Sequence, residues 1–205
     1  MNISNFLLPL YFPYLYFITG YIDYWKNKDN YHNYKNLKKR FDLLFLNIFI
    51  YIPLSLEILF YIKPVTSYYD TVNKEISIIL LNIIFSEIWF YILHRICHKP
   101  FFYKYIHKIH HLDNNPVGIL SFHSHPFEVV VINLGSIYII HYNFHMSLLQ
   151  HFLVFSYLIL NSILYSHSKE YGDVKHRLHH KLLNCNFGLD VFMDKLFSTE
   201  KKSFA

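Results

Sequence analysis

Apolar residues along this chain fall into four long blocks, at residues 3–22, 41–62, 76–93 and 129–165, separated by polar stretches. A membrane crossing by an α-helix needs about 20 apolar residues. The second block, FDLLFLNIFIYIPLSLEILFYI, and the third, ISIILLNIIFSEIWFYIL, meet that length closely enough to predict spanning helices. The first block carries Pro9 and Pro13 and predicts a kinked helix that crosses fully or in part, retained rather than cleaved. The fourth is interrupted near residues 141–145, which predicts a hairpin with a short first arm and a spanning second arm over residues 146–165. The expected fold is all-α: an integral membrane helical bundle of about four transmembrane helices. Residues 1–75 hold N-terminal membrane segments and a basic loop, and residues 76–205 form the rest of the bundle. Glu57 lies inside the second block, where a charge is costly unless it faces protein or water.

Composition points the same way. Hydrophobic residues make up 53% of the 205-residue chain and charged residues 16%, below the roughly 25% charged of soluble domains. The net charge of +5 sits in short loops beside apolar blocks, which suits lipid headgroups and membrane topology better than nucleic acid. Lys and Arg are dense before residue 41, sparse after 62, and dense again after 93; the turn at 141–145 has neither. Alternating crossings place the regions after residues 93 and 166 on one face, the cytoplasmic one. The two cysteines, Cys97 and Cys185, form no CxxC pair, so neither a thiolate zinc site nor a disulfide framework is indicated.

The polar regions on that face carry the chemistry. Seven of the fifteen histidines lie between His94 and His125. His94 and His98 form HxxxH; His107, His110 and His111 form HxxHH; His176, His179 and His180 repeat HxxHH. On a helix, residues three and four apart share a face, so each motif is expected to present its imidazoles as one group and the three groups to converge on a metal centre. Eight imidazoles exceed one tetrahedral zinc and suffice for two metals. An uncharged, all-nitrogen donor set favours an oxidising, Lewis-acidic centre, most plausibly a pair of irons acting on dioxygen. Two other readings stay open at this point: a zinc-dependent membrane hydrolase, and a non-catalytic metal-binding or metal-transport protein.

The order of EIWFYILHRICH, YKYIHKIHH, NNPVG, HSHPFE and HRLHH resembles the fatty acid hydroxylase superfamily, which includes sterol desaturases, methylsterol oxidases and fatty acid or sphingolipid hydroxylases. The resemblance spans roughly residues 85–199, where the closing run NFGLDVFMDKLFST also fits. It implies that residues 76–205 are the catalytic domain, with a four-helix membrane base capped by a cytosolic di-metal site, Fe in both positions, with Zn as a possible substitute. It implies dioxygen-dependent hydroxylation or desaturation of a lipid, with electrons from a separate cytochrome b5-type or other donor and no nucleic acid partner. The expected location is the endoplasmic reticulum or another internal membrane. Carried over residue by residue, the implied metal ligands are His94, His98, His107, His110, His111, His176, His179 and His180, with His167 of YSHSKEYGD as a ninth. His125 of HPFE, His123 and Glu87, which stands where the family commonly has Asp, are possible ligands or supports of ligands. Here the connection from His167 to His176 is shorter than the family usually has.

Overall fold

The computed structural model describes residues 3–28, 37–65, 71–112, 114, 117–168, 174–189 and 192–202. His32, Asp70, Asn115 and Pro116 of NNPVG, and residues 169–173 of the shortened connection lie outside these. The described residues form helices and connecting loops and no β-strand. The helices are α1 (Ile3–Lys26), α2 (Leu37–Leu46), α3 (Ile52–Ile62), α4 (Val72–Cys97), α5 (Pro100–Tyr105), α6 (Gly135–Phe144), α7 (Leu148–Leu160), α8 (Val174–Leu182) and α9 (Met193–Leu196). Three π-helical segments, Asn47–Tyr51, Glu128–Asn133 and Asn161–His167, and two 3₁₀ segments, His107–Leu112 and Gly118–Leu120, complete the order.

Among the described residues, three helical runs are long and apolar enough to cross a membrane: Lys39–Ile62, Val72–Cys97 and Leu148–His167. The expected hairpin is present, with α6 too short to span and α7 running on through a π-helical segment to His167. Helix α1 is continuous through Pro9 and Pro13 and packs on α3 and α7; α4 packs on α6 and α7. Large apolar residues such as Leu10, Trp25, Leu54, Tyr61 and Leu80 remain exposed on the outer faces, as a lipid environment permits. Glu57 is also exposed, on a groove lined by Pro9, Pro13, Tyr14 and Phe17.

The core explains why one helix needs a π turn. Leu44, Ile48, Ile52, Leu56 and Phe60 are fully or almost fully buried and recur every four residues. In an α-helix of 3.6 residues per turn, such a stripe drifts about 40° at each step. The wider i→i+5 turn at Asn47–Tyr51 takes up that drift. Pro53 lies two residues beyond the turn; it has no N–H to give the carbonyl four residues back, and its ring crowds that carbonyl. Asn47, at the start of the turn, donates its amide to the carbonyls of Phe122 (2.8 Å) and Ser124 (2.9 Å), pinning the loop before Glu128. Phe12 of α1 meets Phe122 and Phe155 edge-on, each at 5.6 Å between ring centroids.

On α4 the buried stripe changes character. Ile78 gives way to Asn82, Ser86 and Glu87, then Tyr91 and His94. The same helical repeat that buries the apolar start of the stripe therefore carries His94 into the protein interior. His141 and His151 lie at the opposite end of the α6–α7 hairpin from His167. His141 donates Nε2–H to the Lys63 carbonyl (2.7 Å), and His151 donates Nδ1–H to the Ser147 carbonyl (2.8 Å).

Candidate metal centre

Nine histidines converge at one end of the bundle in two adjacent groups. His94, His98, His107, His111 and His179 form one; His110, His167, His176 and His180 form the other; within each, the nearest ring nitrogens all lie within 4.8 Å of one another. All nine are histidines the sequence singled out, but their grouping differs from the expectation that each motif acts as a unit. The second motif sits on a 3₁₀ segment with a break at His111 (φ −84°, ψ 15°). It sends His107 and His111 to the five-histidine group and His110 to the other. The third motif, on α8, splits in the opposite sense: His179 goes to the five-histidine group, His176 and His180 to the four. The groups touch, with the His111 and His180 rings 4.4 Å apart between centroids.

Hydrogen bonds to the far side of each ring fix what the facing nitrogens can do. A carbonyl oxygen only accepts, so a ring nitrogen bonded to one must carry the proton. His94 Nδ1 donates to the Phe187 carbonyl (2.7 Å), His179 Nδ1 to the Cys185 carbonyl (2.7 Å) and His167 Nδ1 to the Ser162 carbonyl (2.6 Å). His107 Nδ1 lies 2.9 Å from the Glu128 carboxylate. In these rings Nε2 keeps its lone pair and points into its group. His94 Nε2 and His107 Nε2 are 3.0 Å apart, and both are lone-pair acceptors. No proton lies between them to make that contact favourable. The same nitrogen of His107 is 3.0 Å from His98 Nε2 and 2.9 Å from His111 Nε2, which is 3.2 Å from His179 Nε2. In the other group, His176 Nε2 is 3.2 Å from His167 Nε2 and 3.1 Å from His180 Nε2.

These separations are what a cation demands. Imidazole nitrogens at about 2.0–2.1 Å from one metal stand about 3.0 Å apart at right angles and about 3.4 Å apart at tetrahedral angles. The donor chemistry therefore fits a metal in each group. Burial adds to it. Burial, and then the His107 ring, hold His98 down to about 3. His110, His176, His179 and His180 are also held well below the ordinary imidazole range, first by burial and then by neighbouring imidazoles. Neutral rings are the form that binds metal.

The remaining candidates stand outside both groups. His125 accepts from the Phe127 backbone N–H (3.2 Å). His123 is buried and held down to about 4, by burial and then by Arg40. Among the described residues, Glu87 hydrogen-bonds backbone rather than a histidine. Its carboxylate accepts from the backbone N–H groups of Leu189 (2.7 Å), Met193 (3.0 Å) and Phe192 (3.2 Å). Asp194 accepts from the backbone N–H groups of Phe187 (2.8 Å) and Gly188 (2.7 Å) and from Thr199 Oγ1 (2.6 Å). Together the two carboxylates clasp the segment whose Phe187 carbonyl orients His94. Gly188 lies between them, and a Cβ there would stand 2.7 Å from Glu87 Oε1 and 3.0 Å from Asp194 Oδ2. Glycine is required at this close approach.

Glu128 is the functional residue that the sequence reading passed over. It belongs to the same HPFE element as His125, and the acidic member, not the histidine, reaches the site. A buried carboxylate on the outer nitrogen of a ring fixes its tautomer and raises its basicity. An acid at the head of an apolar block was the available signal.

A cavity opens beneath the two groups. His94, His110, His167 and His176 line its upper end with Glu128; Phe90, Ile132, Leu134 and Leu158 line its apolar walls. Two π-helical segments shape it. Across Asn161–His167, the i→i+5 turn brings the Ser162 carbonyl to His167 Nδ1.

The fold and donor set define a helical membrane bundle whose end carries two adjacent polyhistidine sites. Comparison with known proteins takes this further. Residues 79–199, more than half of the chain, match the family described as Fatty acid hydroxylase, and the chain belongs to that family. It is 32% identical over 71 residues to C-4 methylsterol oxidase of Schizosaccharomyces pombe, covering 35% of this chain and 24% of that protein. It is 31% identical over 98 residues to methylsterol monooxygenase 1 of Gallus gallus, covering 45% and 33%. It is 49% identical over 49 residues to fatty acid hydroxylase domain-containing protein 2 of Macaca fascicularis, covering 24% and 15%. The matches thus span a third or less of these relatives' lengths. No solved structure matches.

Proposed function

We propose that the chain is a membrane-embedded oxygenase that hydroxylates or desaturates a lipid, a sterol first among the candidates given the names of its relatives. The nine histidines would hold two irons, His94, His98, His107, His111 and His179 around one and His110, His167, His176 and His180 around the other. One observation carries this reading: two touching groups of inward-facing imidazoles, several with their outer nitrogens tied to carbonyls or to Glu128. Bound iron would supply the electron chemistry that activates dioxygen against a C–H bond.

The chain's own residues bind, orient and exclude. Carbonyls from the 185–188 segment and the Glu128 carboxylate hold the rings in the metal-binding tautomer. The apolar cavity walls admit a lipid from the bilayer side and keep water from the reacting carbon. Electrons come from a separate donor of the cytochrome b5 type, for which exposed Lys104 and Lys108 beside the second motif offer a basic contact. The basic loops face the cytoplasm, placing the histidines there, in the endoplasmic reticulum or another internal membrane.

The test joins lipid profiling of cells with and without the protein to isotopically labelled dioxygen. Oxygen label or a new double bond is expected in one lipid class. His110→Ala and His179→Ala, one from each group, should each abolish turnover and lower bound iron. Turnover that survives either substitution, or hydrolysis by a zinc-loaded protein without oxygen, refutes the reading.

A further inference from the structure

Two carboxylates lie well inside the membrane-length runs, and their surroundings differ. Glu87 takes the N–H groups of Leu189, Phe192 and Met193. Glu57 is exposed, and among the described residues it has no hydrogen bond or ion pair. It stands five residues short of the Ile62 end of the Lys39–Ile62 run, or about 7–8 Å at 1.5 Å per residue. That run has 24 residues and is about 36 Å long, against about 30 Å of hydrocarbon. Centred in the bilayer, the helix sets Glu57 about 4–5 Å below the hydrocarbon boundary. This is the end away from the histidines, where Lys63 meets His141. A lone carboxylate facing lipid at that depth is costly.

The surface around Glu57 is a groove of about 860 Å³ between α1 and the facing run. Phe17 stacks on Phe49 at 5.1 Å between ring centroids. At four-residue steps from that pair, Pro13 and Pro9 on α1 and Pro53 and Glu57 opposite complete the walls. Pro13 has no N–H to give the carbonyl of Pro9, four residues back. The groove is therefore apolar except for groups that accept: the Glu57 carboxylate and the Pro9 carbonyl. What covers it must donate. Arg and Lys carry a positive charge and several N–H donors each, and no acceptor.

The source of that cation follows from depth. Lipid ammonium groups stand in the headgroup layer, outside the hydrocarbon. A spanning helix can set a long basic side chain below the boundary. A second copy of this chain does not supply one: Lys39, Arg40, Lys74 and Arg95 are the Lys and Arg of its three spanning runs, and each lies within three residues of a run's end. Groove against groove would bring two Glu57 side chains together. We propose that the α1 groove is the docking site for a transmembrane helix of a different protein, which sets an Arg or Lys against Glu57 one to two turns inside its end on the side away from the histidines.

The test uses the full chain in phosphatidylcholine vesicles, with association read by energy transfer from labelled probe peptides. The probes are poly-leucine helices of about 22 residues carrying one Arg a turn and a half from one end, one Glu there, one Arg at the centre, or none. The end-Arg peptide should associate at least about tenfold more tightly than the all-Leu peptide, the worth of one hydrogen bond between charged groups. The Glu and centre-Arg peptides should show less than threefold advantage. Glu57→Gln, a change at an exposed position, should cut the end-Arg advantage below threefold. Equal association of the end-Arg and all-Leu peptides, or an advantage undiminished in Glu57→Gln, overturns the proposal. So does displacement of the end-Arg peptide by octadecylamine at equal membrane fraction, which would give the groove to a lipid amine. Energy transfer between two labelled copies of the chain that is lost in Glu57→Gln would give it to a second copy, and overturns the proposal as well.

Discussion

Replacing Glu128 tests the support of the centre rather than its ligands. The carboxylate lies 2.9 Å from His107 Nδ1, with His107 1% exposed and Glu128 5% exposed. In Glu128→Ala the buried Nδ1–H loses its acceptor, an error of about 1–3 kcal/mol. The ring can escape that cost by moving the proton to Nε2, but this removes the lone pair that faces His94, His98 and His111. Either route weakens metal binding, and removal of such outer partners typically costs about 10- to 100-fold in affinity, or about 1.4–2.8 kcal/mol. Glu128→Gln keeps an acceptor oxygen and loses the charge. Charge-assisted hydrogen bonds are about twice as strong as neutral ones, so the loss should fall to about half on the energy scale, roughly three- to tenfold. The assay is competition with a chromophoric chelator on purified protein, with circular dichroism confirming the fold. Affinities within twofold of wild type in both variants would show that Glu128 does not set the tautomer of His107.

Further outcomes follow from the same structure. Gly188→Ala drives a methyl into Glu87 and Asp194 and should destabilise by about 2 kcal/mol or more through loss of hydrogen bonds to charged groups; an unchanged melting temperature would contradict the clasp. Phe12→Ala empties a fully buried site between Phe122 and Phe155 and should cost about 3–5 kcal/mol, read by denaturation in detergent, with the metal stoichiometry of the folded fraction unaltered. Stripping metal with a chelator should lower thermal stability, by about 4 kcal/mol for metal supplied at a thousandfold its dissociation constant; a melting curve indifferent to chelator would mean that the imidazole groups hold no metal.

The sequence disclosed the histidines because their spacing is chemical as well as structural: the first two motifs and the third lie on either side of the apolar block 129–165 and can meet only if they share one face. It disclosed the helical class for the same reason. What it hid depends on local geometry without a periodic signature. The π turn at Asn47–Tyr51 is inferred only once Leu44 through Phe60 are seen to share one buried stripe. The partition of His110 from His107 and His111 depends on the break at His111, which no spacing rule foretells. The carbonyls of Cys185 and Phe187 are backbone atoms and carry no sequence signal at all. Glu87 shows the converse: its charge marked it as a histidine partner, whereas it binds the backbone of the segment that positions His94.

The crossed assignment of the two HxxHH motifs has a consequence for assembly. Each motif gives donors to both groups, so a metal entering one group immobilises a helical segment that also carries donors of the other. The ordering entropy of the second event is then partly met by the first, and loading becomes cooperative. Titration of the metal-free protein should show a Hill coefficient above one and little singly loaded species, and a substitution that empties one group should weaken the other although none of its own ligands has changed.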